Sequence, residues 1–388
     1  MAIKQWTLTD VSNGVYVDDL KLSHDQVGGD AKGYEVSKRR LRGGLCDGVD
    51  VVRVDNGRLE VEILPTRGMG IWKMALDGEE IGWHSPVRGP VHPSFVPLTE
   101  PSGLGWLEGF DEMLVRCGLE SNGAPDFDER GQLIYPLHGR IANRPAHRVD
   151  ISLDDSTGEI TVTGVVEETR FHFSKLRLTS KLVTRVDEPE IRVWDQVENL
   201  SGSPAEIQLL YHINFGPALL GPGSQFVAPL KCVVPRNGRA AEAIKTWSEY
   251  AGEEAGYEEQ VYFLELAAAD DGRTKTMLKN ADGTRGVSVC LNKNQLPCYT
   301  LWKNTITASD GYTTGLEPGT NFPNPRTYEG QQGRVVRLQP GGKADFELTL
   351  EAHKDSAEVE AAELAIAKLQ AEVTPEIHDQ PQPGWCDV

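Results

Sequence analysis

The strongest signal along the chain is a period of two. Leu59, Val61 and Ile63 alternate with Glu60 and Glu62, the pattern of a strand with one buried face. Ile160 to Val166 predicts another strand, and Leu176, Leu178 and Leu182 share one face of a third. Ile191, Val193 and Val197 alternate with Arg192, Trp194 and Glu198. Val335 to Leu338 and Phe346 to Leu350 close the series. Turn signals recur between such runs: Asp55-Asn56-Gly57, Asp77-Gly78, Asp154 to Gly158, Asn237-Gly238 and Asp282-Gly283. Short strands at fairly even spacing, with no helices alternating between them, predict an all-β fold. A large antiparallel β-sandwich or barrel fits, and a parallel α/β sheet does not.

Three stretches break the pattern. Residues 1–44 are polar and glycine-rich with little periodicity, and they read as an N-terminal arm. The sandwich domain is then expected over 45–352, and 353–388 form a C-terminal helix and tail. The helix is clear from Ala357 to Ala371, rich in Ala, Glu and Leu, with Asp355 and Glu358 spaced as a capping box. Pro86 to Asp128 is long and irregular. Its Trp106, Phe110 and Cys117-Gly118-Leu119 favour an ordered loop packed against a pocket.

Charge narrows the partners. The 388 residues carry a formal net charge of −19. Nucleic-acid phosphates and anionic membrane faces call for basic surfaces, so neither is an expected partner. No apolar run approaches the roughly 20 residues of a membrane-spanning helix. The first residues lack the apolar core of a signal peptide. Six cysteines are scattered without a C-x-x-C pair, which suits free thiols in a reducing cytoplasm. There is no phosphate-binding loop, zinc-ligand spacing or nucleophile elbow, so no cofactor and no metal are expected.

Three segments could carry chemistry. In Gly315 to Pro325, GLEPGTNFPNP, Glu317 stands among prolines and glycines that hold the backbone and forbid a helix. His138 in YPLHGRIANRPA and His212 in LLYHINFGPALLGPG each sit where an apolar run meets glycine, as at a strand end. The run Glu198 to Gly216, ENLSGSPAEIQLLYHINFG, resembles the aldose 1-epimerases, or galactose mutarotases. Leu137-His138-Gly139 is similar to that family's recognition-histidine motif, and Glu317-Pro318 to its catalytic-glutamate segment, in the family's order. The likeness spans roughly Val51 to Leu350 and is nearest a bacterial branch of unsettled substrate.

The resemblance implies a galactose mutarotase-like supersandwich that interconverts the anomers of a free sugar or sugar derivative. It implies Glu317 as general base at the anomeric hydroxyl, His212 as general acid at the ring oxygen, and His138 orienting the substrate. Asn214, in the strand after His212, and Glu259, where the family has an aspartate, are then binding candidates. So are Arg67, Arg140 and Asn143, through sugar hydroxyls or an anionic substituent, and Trp302 or Trp83, by stacking. Two departures stand out: His212-Ile213-Asn214 replaces the family's His-Pro or His-Ser, and Glu259-Gln260 replaces Asp-His. A non-catalytic carbohydrate-binding or sensing protein, an isomerase or lyase on the same scaffold, and a metal site of His138, His212 and Glu317 stay open. So do the sugar and the oligomeric state, a homo-oligomer included.

Overall fold

The computed structural model describes residues 3–387. Two large sheets account for most of it, one of ten strands and one of fourteen among the described residues. Most of the alternating segments form the smaller sheet, while Leu59–Leu64 belongs to the larger one. Arg148–Asp154, Glu159–Thr169, Lys175–Arg185 and Glu190–Asn199 run as an antiparallel meander, followed in space by Lys343–His353 and Gly286–Asn292. Each of the four meander strands buries every second residue, because one face packs on the other sheet and the other meets solvent.

The larger sheet holds the strands that matter for chemistry. Gln260–Leu266, Cys298–Asn304, Thr313–Gly319, Ala205–Phe215 and Leu114–Leu119 lie side by side in that order. Their side chains are buried on both faces, which is why their sequences show no clean alternation of apolar and polar residues. One face joins the core between the sheets: Leu209, Tyr211 and Ile213 pack there with Val162, Leu178 and Val193. The opposite face is covered by the irregular segment. Trp106, Phe110 and Trp83 pack there with Val115, Cys117 and Leu210. Since a strand alternates its side chains, Tyr211 and Ile213 serve the core while His212 and Asn214 point under that cover.

The N-terminal residues are not an arm. Ile3–Asp10 is a strand of the smaller sheet, paired with Arg148–Asp154. Leu20–Ser23 and Glu35–Arg40 extend the edge of the larger sheet. These outer strands are only partly buried, so they carry little of the hydrophobic alternation that reveals central strands. At Asn237-Gly238 the chain turns into a short helix, Gly238–Glu242, which Asn237 caps by accepting a bond from the Ala240 amide. The C-terminal helix runs Ser356–Gln370, with the Asp355 side chain capping the Glu358 amide. Among the described residues, no helix is long and apolar enough to cross a membrane.

Candidate active site

The site is a patch of the larger sheet, read across three neighbouring strands. The register sets Thr300 opposite Glu317, and the pairing of Ile213 with Leu316 sets His212 opposite Glu317 on its other side. Thr300, Glu317 and His212 therefore form a row perpendicular to the strands, on one face. The next row on that face is Trp302, Gly315 and Asn214. Gly315 makes room for the first row. A Cβ there would lie 2.6 Å from Glu317 Oε1 and 2.9 Å from His212 Cε1.

Above these rows is a cavity of about 280 Å³, near the lower end for small-molecule sites. His138, His212, Thr300, Trp302 and Glu317 line it, with Glu259 and Arg236. Trp106, Phe110, Leu104 and Leu107 of the irregular segment form its apolar cover. Polar groups thus rise from the sheet and apolar ones face them from the loop.

His212 Nε2 and Glu317 Oε1 are 3.2 Å apart, without the alignment of a hydrogen bond from that nitrogen. The other imidazole nitrogen, Nδ1, is 2.7 Å from Asn214 Oδ1. Asn214 Nδ2 donates to the Glu112 carbonyl at 2.9 Å, which turns its oxygen toward the histidine. Nδ1 therefore carries the proton and donates it to Asn214, and Nε2 is left to exchange protons toward Glu317. His212 is 4 % exposed and Glu317 2 %. Burial pushes the Glu317 carboxyl well above the usual range, and the Glu259 charge adds to it. Burial also pushes the His212 imidazolium down to about 4. The site thus favours a protonated Glu317 beside a neutral His212. That is the reverse of the ionised glutamate and protonated histidine expected from the sequence, because neither charge is solvated here.

His138 reaches the cavity from a loop. Its φ is +55°, a conformation uncommon for a residue with a Cβ. Backbone bonds hold it: its amide donates to the Gly123 carbonyl at 2.8 Å, and its carbonyl accepts from the Gly118 amide at 3.1 Å. Gly139 must be glycine, since φ is +72° and a Cβ would meet the Ser121 carbonyl at 2.1 Å. The His138 ring lies 4.7 Å from that of Trp106 and 5.4 Å from that of His212. Its Nδ1 is buried without a partner, and burial, then His212, pushes its pKa well down.

Among the other sequence candidates, Glu259 and Trp302 line the cavity and are bonded to each other, Trp302 Nε1 donating to Glu259 Oε2 at 2.7 Å. Asn214 lies behind His212 and fixes its tautomer. Arg67, Arg140 and Asn143 are not on the cavity wall, which corrects the expectation that they meet a ligand there. The Arg67 guanidinium is buried and fully engaged, with Glu112, the Val91 and Gly109 carbonyls and Asn143 Oδ1. It fastens the irregular segment to the sheet, and Asn143 is part of that fastening. Arg140 pairs with Glu120 at 3.1 Å. Trp83 donates to the Glu112 carbonyl and packs on Phe110. Among the described residues, the one grouping of His, Cys, Asp and Glu close enough to share an ion is Cys232, Glu376 and His378, outside this cavity.

Sequence reasoning missed Thr300, Gly315 as a spacer, and Arg236. The Arg236 guanidinium is 3.8 Å from Glu259 at the cavity wall. Only its place at a strand end, between Pro235 and an Asn-Gly pair, hinted at it.

Residues 46–352 match the family described as "Domain of unknown function (DUF4432)". The chain belongs to the DUF4432 family. A crystal structure from Klebsiella pneumoniae subsp. pneumoniae MGH 78578, named as a candidate aldose 1-epimerase, shares 36 % identity with this family member. The match covers 98 % of this chain and 99 % of that one, with a TM-score of 0.95. A galactose mutarotase-like protein from Clostridium acetobutylicum is 14 % identical, over 79 % of this chain and 96 % of its own, with a TM-score of 0.54. A candidate aldose 1-epimerase from Escherichia coli K12 is 14 % identical, over 79 % of this chain and all (100 %) of its own, with a TM-score of 0.51. These last two show that the fold is galactose mutarotase-like. No curated protein matches the chain.

Proposed function

We propose that this protein is an aldose 1-epimerase that interconverts the anomers of a free sugar or sugar derivative. The observation that carries the reading is the His212–Glu317 pair. Two proton-exchanging groups stand 3.2 Å apart on the floor of a monosaccharide-scale cavity. The kinship with a candidate aldose 1-epimerase supports the same reaction.

Ring opening removes the proton from the anomeric hydroxyl and delivers one to the ring oxygen. Reclosure on the other face reverses both transfers. The pair suits this because it works with a single proton: whichever member gives it up, the other takes one from the sugar, and the sum is unchanged. The resemblance gives Glu317 the anomeric hydroxyl and His212 the ring oxygen. Before a sugar binds, the shared proton rests on Glu317. An entering sugar supplies hydroxyls to the carboxylate, lowers the cost of its charge, and so allows the proton to pass to His212. Asn214 keeps Nε2 facing the reaction, and His138 orients the sugar.

The test is polarimetry, or exchange spectroscopy, on freshly dissolved aldoses, deoxy sugars and sugar acids across pH. Activity requires one proton on the pair. It should rise with pH as the doubly protonated pair loses a proton, near the His212 value of about 4. It should stay level through neutrality and fall only as Glu317 ionises at its raised pKa. An acid limb near the ordinary histidine value of about 6.5 would show that burial does not govern the pair. If the protein binds sugars without speeding their anomer exchange, it is a binding protein.

Gly315→Ala is expected to cost up to about 10²-fold in turnover with little change in thermal unfolding. Its backbone is not in the left-handed region, and the clash falls on Glu317 Oε1 and His212 Cε1 rather than on the main chain. Equal losses of stability and activity would mean that the glycine serves the fold alone.

A further inference from the structure

Thr300 is 1 % exposed, yet its hydroxyl has no hydrogen-bond partner. It lines the cavity. A buried hydroxyl without a partner destabilises a fold, and valine would fill the same space without that cost. Something that enters the cavity is the natural partner. The position of Thr300 says which part of a ligand that is. Thr300, Glu317 and His212 are successive members of one row across three strands, with neighbours about 5 Å apart at Cβ. A pyranose presents the matching order around its anomeric carbon: ring oxygen, anomeric hydroxyl, then the hydroxyl of the adjacent carbon. With His212 at the ring oxygen and Glu317 at the anomeric hydroxyl, the third member of the row meets the third oxygen.

We propose that Thr300 is a substrate-recognition residue that hydrogen-bonds the 2-hydroxyl, so that the site takes aldoses with a free hydroxyl beside the anomeric carbon. This rests on the epimerase reading of the same cavity. The hydroxyl can donate to or accept from the sugar, and it stands away from His212, so it takes no part in proton transfer. A sugar without the 2-hydroxyl leaves Thr300 unpartnered. Discrimination by a site built to bond a hydroxyl is accordingly stronger than discrimination by shape.

The experiment compares wild type, Thr300→Val and Thr300→Ser on D-galactose and 2-deoxy-D-galactose, and on D-glucose and 2-deoxy-D-glucose. Anomer exchange is followed by polarimetry, and binding by saturation-transfer spectroscopy. Wild type should favour the 2-hydroxy member of a pair by about tenfold or more in kcat/KM, through KM. Thr300→Val should abolish that preference by losing about tenfold on the 2-hydroxy sugar and less than twofold on the deoxy sugar. Thr300→Ser should keep it. Thr300→Val should also unfold at the same temperature as wild type or higher, an outcome that a structural role for the hydroxyl would not give. Equal losses on both sugars, or no wild-type preference, overturn the proposal. If wild type binds the sugars without turnover, the epimerase reading fails, and the same preference read in binding decides the role of Thr300. Binding of none of the four overturns it.

Discussion

Glu317→Gln is expected to lower turnover by about 10²–10⁴-fold while leaving the fold intact. Glutamine has the shape of the acid but can neither give nor take the proton. The substitution should be well tolerated structurally because burial already favours a neutral carboxyl at 317. One neutral group replaces another, and no buried charge loses a partner. His212→Asn should cost a similar factor, since Asn214 would then orient nothing that titrates. His138→Asn should differ in kind, raising KM at least as much as it lowers turnover. Anomer-exchange rates on the best wild-type substrate decide the matter, with unfolding curves recorded beside them. Full activity in Glu317→Gln would remove the glutamate from the chemistry even if the epimerase reaction stands.

Much of this site was legible in the sequence because function there interrupts regular structure. Glycine and proline mark Glu317, and glycine follows His138 where the backbone must turn through a left-handed residue. Those constraints are local, so they leave local traces. The errors share a different cause. Arg67 stands beside a glycine-rich turn, as a ligand-binding arginine would. Whether its five donors meet a sugar or backbone carbonyls depends on residues 24 to 76 positions away. Arg140 is the same case with Glu120. Thr300 was invisible for another reason. It is one apolar-flanked residue in a buried strand, and only the register to Thr313–Gly319 puts it beside Glu317. Register is a property of strand pairs, and the pattern of one strand does not reveal it when both faces are buried. The first residues read as an arm in the sequence because outer strands show weak alternation, although in the fold they close both sheets.

Arg116→Met is expected to destabilise the protein by about 3–5 kcal/mol, the largest stability loss we foresee for a single change. Arg116 lies in the larger sheet and Asp195 in the smaller one, and both side chains are fully buried. Their two contacts, at 2.5 and 3.1 Å, tie the sheets together across the core. Arg116 also donates to the Met69 carbonyl and to Ser180, and Tyr211 donates to Asp195 at 2.9 Å. Methionine matches much of the volume but strands the Asp195 carboxylate in the core. The double change Arg116→Met with Asp195→Leu removes both charges and should recover a large part of the loss, because the pair itself adds little once its desolvation is counted. The cluster reaches the chemistry through Tyr211, which is opposite Arg116 in the register and adjacent to His212 in the chain. The single variant should therefore lose some turnover as well, even where it is fully folded, since the histidine strand has lost its anchor. Denaturant unfolding of the two variants tests the first claim, and turnover below the unfolding transition tests the second. A double variant no more stable than the single one would show that the ion pair, and not the stranded charge, holds the sheets together.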